Sequence, residues 1–110
     1  MEDCIFCQII EGKIPKEFTK ITENLVVFPD INPSADVHLL IVPKQHIRGV
    51  GEVGEEHSKL LAEVYQMVRE LVRENNLSDD LYRVVVNGGR AQHVPHLHFH
   101  LLGGQWKKMV

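Results

Sequence analysis

Two stretches of this chain carry apolar residues at three-to-four spacing, and five short ones read as extended. Ile5, Phe6, Ile9 and Ile10 share one face of a short helix from Cys4 to Glu11, with Gly12 and Pro15 as the stop. Leu60, Leu61, Val64, Met67, Val68, Leu71 and Val72 form a broad stripe on a long helix from about Glu55 to Asn75, whose other face is glutamate and arginine. The default partner of that stripe is the domain's own core; a second subunit is the alternative. The extended runs are Phe18 to Thr22, Leu25 to Phe28, His38 to Val42, Tyr82 to Asn87 and His96 to Leu102. Glu23-Asn24 is a turn, the Pro29 to Pro33 stretch a loop of fixed shape, and Pro43 closes the third run. Glycines 49, 51 and 54 mark a loop, 88 and 89 a turn, and Gly103-Gly104 the end of the last strand.

These elements predict an α+β domain: an antiparallel sheet of about five strands with one short and one long helix. The strands cluster on either side of one helix, without the alternation a parallel sheet requires. With 110 residues and no repeat or linker, residues 1–110 read as one domain. The formal net charge of -3 argues against duplex nucleic acid as a partner, and Lys107 and Lys108 read as solvated charge. No apolar run approaches the roughly 20 residues that cross a bilayer, so no membrane partner is expected. The opening Met-Glu-Asp-Cys is acidic and unlike a signal peptide, which predicts a cytoplasmic protein with reduced cysteines.

His96-Leu97-His98-Phe99-His100-Leu101-Leu102 is the sharpest feature. Strand side chains alternate faces, so Leu97, Phe99 and Leu101 pack inward while three imidazoles line the opposite surface at roughly 7 Å intervals. A lone strand histidine is usually structural; three in register point to a site. A three-histidine zinc site is one possibility, but neighbouring positions on one strand rarely converge on a single ion. The other is covalent catalysis at phosphorus, one ring attacking while its neighbours orient it or hold phosphate oxygens. Asn87 beside two glycines, and Gln92-His93-Val94-Pro95 leading into the strand, favour an anion there. Neither common glycine-rich nucleotide loop is present. Cys4-x-x-Cys7 has zinc spacing, although a redox pair or simple packing gives the same pattern. His57, in the first turn of the long helix, reads as exposed.

The triad stretch matches the His-φ-His-φ-His-φ-φ signature of the histidine triad (HIT) family, where φ is apolar, and the resemblance covers nearly the whole chain. Cys4-Ile-Phe-Cys7 with Gly12-Lys-Ile-Pro15 resembles the family's opening, the stretch from Phe28 to Pro33 its ribose loop, and the stretch from His38 to His46 its central strand. Val85-Val86-Asn87 and Gln92-His93-Val94 complete the order. Size and the glycine ending suggest the Hint-like branch over the dinucleoside polyphosphate hydrolases. The resemblance implies that His98 is the nucleophile, supported by His38 and His100, with the second His98 nitrogen donating to the His96 carbonyl. It implies that Asp30 bonds the ribose, and that Ile5, Phe6, Ile9, Phe28, Ile31 and Leu40 enclose a purine. Asn87, the amides around Ala91, Gln92 and His93, and His100 would hold the α-phosphate. No metal is needed for catalysis, but a structural zinc on Cys4, Cys7, His46 and His96 is implied. So is a two-fold homodimer through the long helix and the Tyr82–Asn87 strand; the tail after Trp106 is a candidate to reach the neighbouring site.

The chain departs from the family in two places. Ala91-Gln92-His93 stands where Gly-Gln-Ser or Gly-Gln-Thr is usual, so the hydroxyl that protonates the leaving group is absent and His93 is the candidate acid. The turn from Asn87 to Gln92 is also short. The expected activity is hydrolysis of purine nucleoside 5′-phosphoramidates, such as AMP linked to an amine. The alternatives are a dinucleoside polyphosphate hydrolase or nucleotidyl transferase using the same histidine, a non-catalytic purine-nucleotide sensor, and, more remotely, a hydrolase with zinc on the triad.

Overall fold

The computed structural model describes residues 3–106, so Lys107, Lys108 and the tail after Trp106 lie outside the described residues. The chain runs through α1 (Ile5–Ile10), β1 (Lys20–Ile21), β2 (Leu25–Pro29), β3 (Ala35–Pro43), α2 (Ser58–Glu74), β4 (Tyr82–Val85) and β5 (Phe99–Trp106). The strands form one antiparallel sheet in the order β1-β2-β3-β5-β4. The α+β architecture read from the sequence is therefore observed, with five strands, one short helix and one long one.

Both faces of the sheet are covered. On one, Val64, Met67, Val68, Leu71 and Val72 of α2 pack against Leu25, Val27, Leu39, Ile41, Leu97, Phe99 and Leu101. On the other, Cys4, Phe6, Cys7 and Ile9 of the α1 segment pack against Val26, Phe28, Leu40 and Val42. This two-sided burial explains why β2 and β3 read as continuous apolar runs instead of alternating. At six residues α1 is far too short to persist alone, so its contacts and end caps must hold it. Cys4 is the N-cap, its Sγ accepting the Cys7 N–H at 3.4 Å, and Gly12 leaves the helix at φ 82°.

Four expectations need correction. The histidine stretch is not a strand from its first residue: the Leu97 N–H donates to the Ile47 carbonyl outside the sheet, and pairing starts at Phe99 opposite Ile41. The alternation of faces nevertheless holds, with Leu97, Phe99 and Leu101 in the α2-side core. The imidazole face is no open surface, because α1 covers it and leaves His96, His98 and His100 buried. Gly103-Gly104 does not end β5. Gly103 pairs with Val37 on one side and Tyr82 on the other, and the strand continues to Trp106 opposite Ala35. His57 is buried, not exposed: it lies in the turn Glu55–His57 that precedes α2, and its Nδ1 accepts the Gly54 N–H at 3.0 Å.

A physical reason keeps glycine inside β5. A Cβ on Gly103 would sit 2.5 Å from Leu77 Cδ1 and 2.6 Å from Cδ2, so Leu77 fills the space a side chain needs. Gly103→Ala is expected to destabilise the protein by about 1–3 kcal/mol. Urea unfolding of the two proteins measures this, and Gly103→Ala combined with Leu77→Ala should recover part of the loss.

Candidate active site

Backbone groups decide which nitrogen of each buried histidine carries its proton. The Ser34 N–H donates to His38 Nδ1 at 3.0 Å, so that nitrogen is an acceptor and the neutral ring is protonated at Nε2. His38 Nε2 lies 2.8 Å from His100 Nδ1 and donates to it. His100 must then carry its own proton on Nε2, a buried N–H with no hydrogen-bond partner among the described residues. Leaving such a donor unpaired costs about 1–3 kcal/mol, so it is a ready partner for an anionic oxygen. In the triad's centre, His98 Nδ1 donates to the His96 carbonyl at 2.7 Å, which leaves the Nε2 lone pair unprotonated. The His98 and His100 rings are neighbours, tilted by 56° with centroids 5.1 Å apart. The site therefore presents a nucleophilic nitrogen beside an idle N–H donor.

Electrostatics keeps these rings neutral. Burial lowers the His98 pKa, outweighing its carbonyl partner and the Asp30 charge. Burial, with the neighbouring His98 and His38, lowers His100 to about 4. Because its folded-state pKa lies below the unfolded value of about 6.5, His100 favours the folded state above pH 6.5 and withdraws that support as pH falls toward 4. The slope from this ring is at most about 1.4 kcal/mol per pH unit, reduced by whatever solvent screening reaches it. Urea midpoints measured from pH 7.5 to pH 4.5 should fall through this window, less steeply in His100→Asn; a flat profile in the wild type contradicts the assignment.

The other expected residues surround this pair unevenly. Asp30 is half-buried; Oδ1 accepts the Asn32 N–H at 2.9 Å, and Oδ2 lies 3.5 Å from His38 Nε2. Phe28, Leu40, Phe6 and Ile9 are buried, whereas Ile5 and Ile31 are exposed at 47 % and 81 %. His93 is exposed, and its charge is felt at both His98 and His100, so it lies on their side of the chain. Asn87 lies past the end of β4, half-buried. The Ala91 and Gln92 N–H groups close a tight turn onto the Gly88 and Gly89 carbonyls. The Gln92 carboxamide donates to the Arg48 carbonyl at 2.9 Å, and a Cβ on Gly49 would press within 2.8 Å of its Oε1. A side chain at residue 49 would therefore displace the Gln92 carboxamide.

A second cluster joins the two cysteines. Cys7 Sγ is 3.3 Å from His46 Nδ1 and 3.5 Å from His96 Nδ1; Cys4 Sγ is 3.4 Å from His96 Nδ1, and the two Nδ1 atoms are 3.1 Å apart. All four ligand atoms lie within 4.8 Å of one another. A tetrahedral zinc ion bonded at about 2.3 Å to sulfur and 2.0–2.1 Å to nitrogen spaces its ligands by about 3.3–3.8 Å, so the donor set fits. His96 Nε2 donates to the Pro43 carbonyl at 2.7 Å, which turns the Nδ1 lone pair toward the cluster and supplies the outer hydrogen bond typical of a metal-bound histidine. Burial, together with Cys4, raises the Cys7 thiol to about 11. The cysteines are not joined in a disulfide.

The sequence reading missed two participants, the Ser34 amide and the Pro43 carbonyl. Both act through the backbone and have no side-chain signature; the nearby signals are Pro33 and the strand-ending Pro43 itself.

A five-stranded sheet that carries three in-register histidines under a short helix defines the histidine triad class of protein. Residues 3–110 match the family model described as scavenger mRNA decapping enzyme C-term binding. Protein HitA of Neisseria gonorrhoeae is 36 % identical over 105 residues, spanning 94 % of this chain and 97 % of its own. Purine nucleoside phosphoramidase of Escherichia coli K12 is 34 % identical over 106 residues, spanning 94 % and 89 %. A solved HIT family hydrolase from Legionella pneumophila superposes with a TM-score of 0.90 at 40 % identity, covering 94 % of both chains. The chain belongs to the histidine triad family. Among the described residues, no helix is long and apolar enough to cross a membrane.

Proposed function

We propose that this protein hydrolyses purine nucleoside 5′-phosphoramidates through a nucleotidyl-histidine intermediate on His98. The observation that carries the reading is the pairing of an unprotonated His98 Nε2 with the orphaned His100 Nε2–H. His98 Nε2 attacks the α-phosphorus, forming an N–P bond as the P–N bond to the amine breaks. The developing charge falls on phosphoryl oxygens that the His100 N–H and Asn87 receive in this reading. His93 gives a proton to the departing amine, in place of the missing hydroxyl. Water then attacks phosphorus, giving its proton back to His93 as the bond from phosphorus to His98 Nε2 breaks, which releases the nucleotide and returns both histidines to their starting forms. Ile5 and Ile31 are the exposed lips between which the purine enters, and Asp30 meets the ribose.

Wild-type protein quenched during turnover of a fluorogenic AMP phosphoramidate should carry AMP on His98, read by mass spectrometry of the peptide. Tight AMP binding with neither adduct nor product would establish the nucleotide-sensor reading instead.

Zinc on Cys4, Cys7, His46 and His96 belongs to the same proposal. When bound it supplies a structural cross-link, not Lewis acidity at the substrate, because all four donors are protein groups and none is left open. A homodimer is proposed through α2 and the edge strand β4, where Tyr65, Tyr82 and Val86 are exposed at 55 %, 45 % and 38 %.

A further inference from the structure

We infer that the four-ligand centre positions the nucleophile, so that metal occupancy sets the reactivity of His98 as well as the stability of the fold. The inference rests on the reading of His98 as the nucleophile and names a regulation of that same site.

Two physical links join the centre to His98. The first is His96, which belongs to both sites. Its Nδ1 lies among the ligand atoms and its Nε2 is tied to the Pro43 carbonyl, while its own carbonyl accepts the His98 Nδ1–H at 2.7 Å. That carbonyl decides which His98 nitrogen is free to attack. If the His96 ring is released, its backbone can turn, and the acceptor turns with it.

The second link is Phe6, which lies between Cys4 and Cys7 on α1. Its ring meets the His98 ring edge to face at 5.1 Å and 89°, and the His96 ring at 5.9 Å and 70°. It also meets Phe28 at 5.7 Å and 79°, so it is boxed in and only 7 % exposed. Its geometry suits holding an imidazole upright, and it leaves little face for a purine. The sulfur ligands on either side of it set where that ring stands, because a six-residue helix has no rigidity of its own. Phe6 is thus a positioning residue.

The centre is also reachable from outside. A cleft of about 390 Å³ is lined by Cys4 and His46 together with Asp3, Arg48, Glu52 and Pro95. Among its lining charges Asp3 and Glu52 outnumber Arg48, and neither His98 nor His100 lines it. An ion can therefore enter or leave without passing through the nucleotide site.

The test uses protein with ¹⁵N-labelled imidazoles, compared zinc-loaded, chelator-treated and reloaded. Metal removal should broaden or shift the His98 Nδ1–H resonance and lower kcat for an AMP phosphoramidate by about tenfold or more, with KM changed less than twofold and with α2-side amide signals retained. Zinc should restore both readouts. Zinc-loaded Phe6→Leu keeps the apolar volume and the metal, so it should bind one zinc per chain and melt within a few degrees of wild type, yet lose kcat by a similar factor. A base-contact role for Phe6 would raise KM instead and would count against the inference. An unchanged His98 resonance and kcat in both arms overturns it; if chelation unfolds the chain, the Phe6→Leu arm decides. Zinc-loaded wild type that shows no turnover defeats the functional reading alone, and the resonance of His98 still judges the coupling.

Discussion

Replacing His98 with alanine is expected to lower turnover of an AMP phosphoramidate by about 10⁴-fold or more, while AMP binds within a few-fold of wild type. The size of the effect follows from the lack of a substitute. His100 Nδ1 already accepts from His38, and its other nitrogen carries a proton. His96 turns its free nitrogen toward the cysteines, not the nucleotide. His93 is exposed, outside the buried group of triad rings. Once His98 Nε2 is gone, no other imidazole offers a lone pair in the same place, and only binding and the phosphate donors remain. His98→Gln keeps more of the buried volume and controls for the cavity left by alanine. Single-turnover kinetics on proteins of matched melting temperature decide the matter: a variant within tenfold of wild type would mean that another group attacks.

The second large effect is on stability. Removing the metal, or replacing Cys7 with serine, is expected to cost about 3 kcal/mol or more, which for a chain of 110 residues is a fall in Tm of roughly 10 °C or more. Cys7 is the residue to change because its sulfur lies within 3.5 Å of both imidazole ligands. Without a shared ion, the cluster is four polar or polarisable groups crowded at hydrogen-bond distance under a short helix. The covering of Val26, Phe28, Leu40 and Val42 then rests on Phe6 and Ile9, with Ile10, Ile14, Phe18 and Val94 partly buried against them. Calorimetry with and without chelator, alongside metal analysis, makes the comparison. Wild type should lose stability in chelator down to the level of Cys7→Ser, and Cys7→Ser should not respond. A wild type whose melting ignores chelator, or that purifies with little metal, refutes the zinc assignment.

Much of this architecture was legible in the sequence because it depends on local geometry. The period of two in Leu97, Phe99 and Leu101 against His96, His98 and His100 survives even where the ladder has not yet begun, since an extended backbone alternates faces with or without a paired neighbour. The stripe of α2 is equally robust: Val64, Met67, Val68, Leu71 and Val72 are all buried, with Leu60 and Leu61 half-buried at its start. The Cys4-x-x-Cys7 spacing placed two sulfurs on one turn, and family resemblance supplied His46 and His96, which the fold brings to them.

Other features escaped because they are properties of contact between distant segments. Glycine at 103 reads as a strand end until Leu77 is seen to occupy the place of its side chain. His57 reads as solvated on a charged helix start, but it turns inward to accept the Gly54 amide. Histidine protonation, on which the chemistry depends, is written in none of the histidines themselves. The His96 carbonyl was expected to fix His98, but the Ser34 amide and the Pro43 carbonyl, backbone groups with no side-chain signature, set His38 and His96. The sequence by itself thus determined the elements, the face each side chain takes and which residues carry reactive groups, since these follow from backbone periodicity and side-chain chemistry. Only the tertiary structure decided that the triad is buried and which nitrogens of His38, His96 and His100 keep their protons, because those depend on where distant backbone donors and acceptors come to rest.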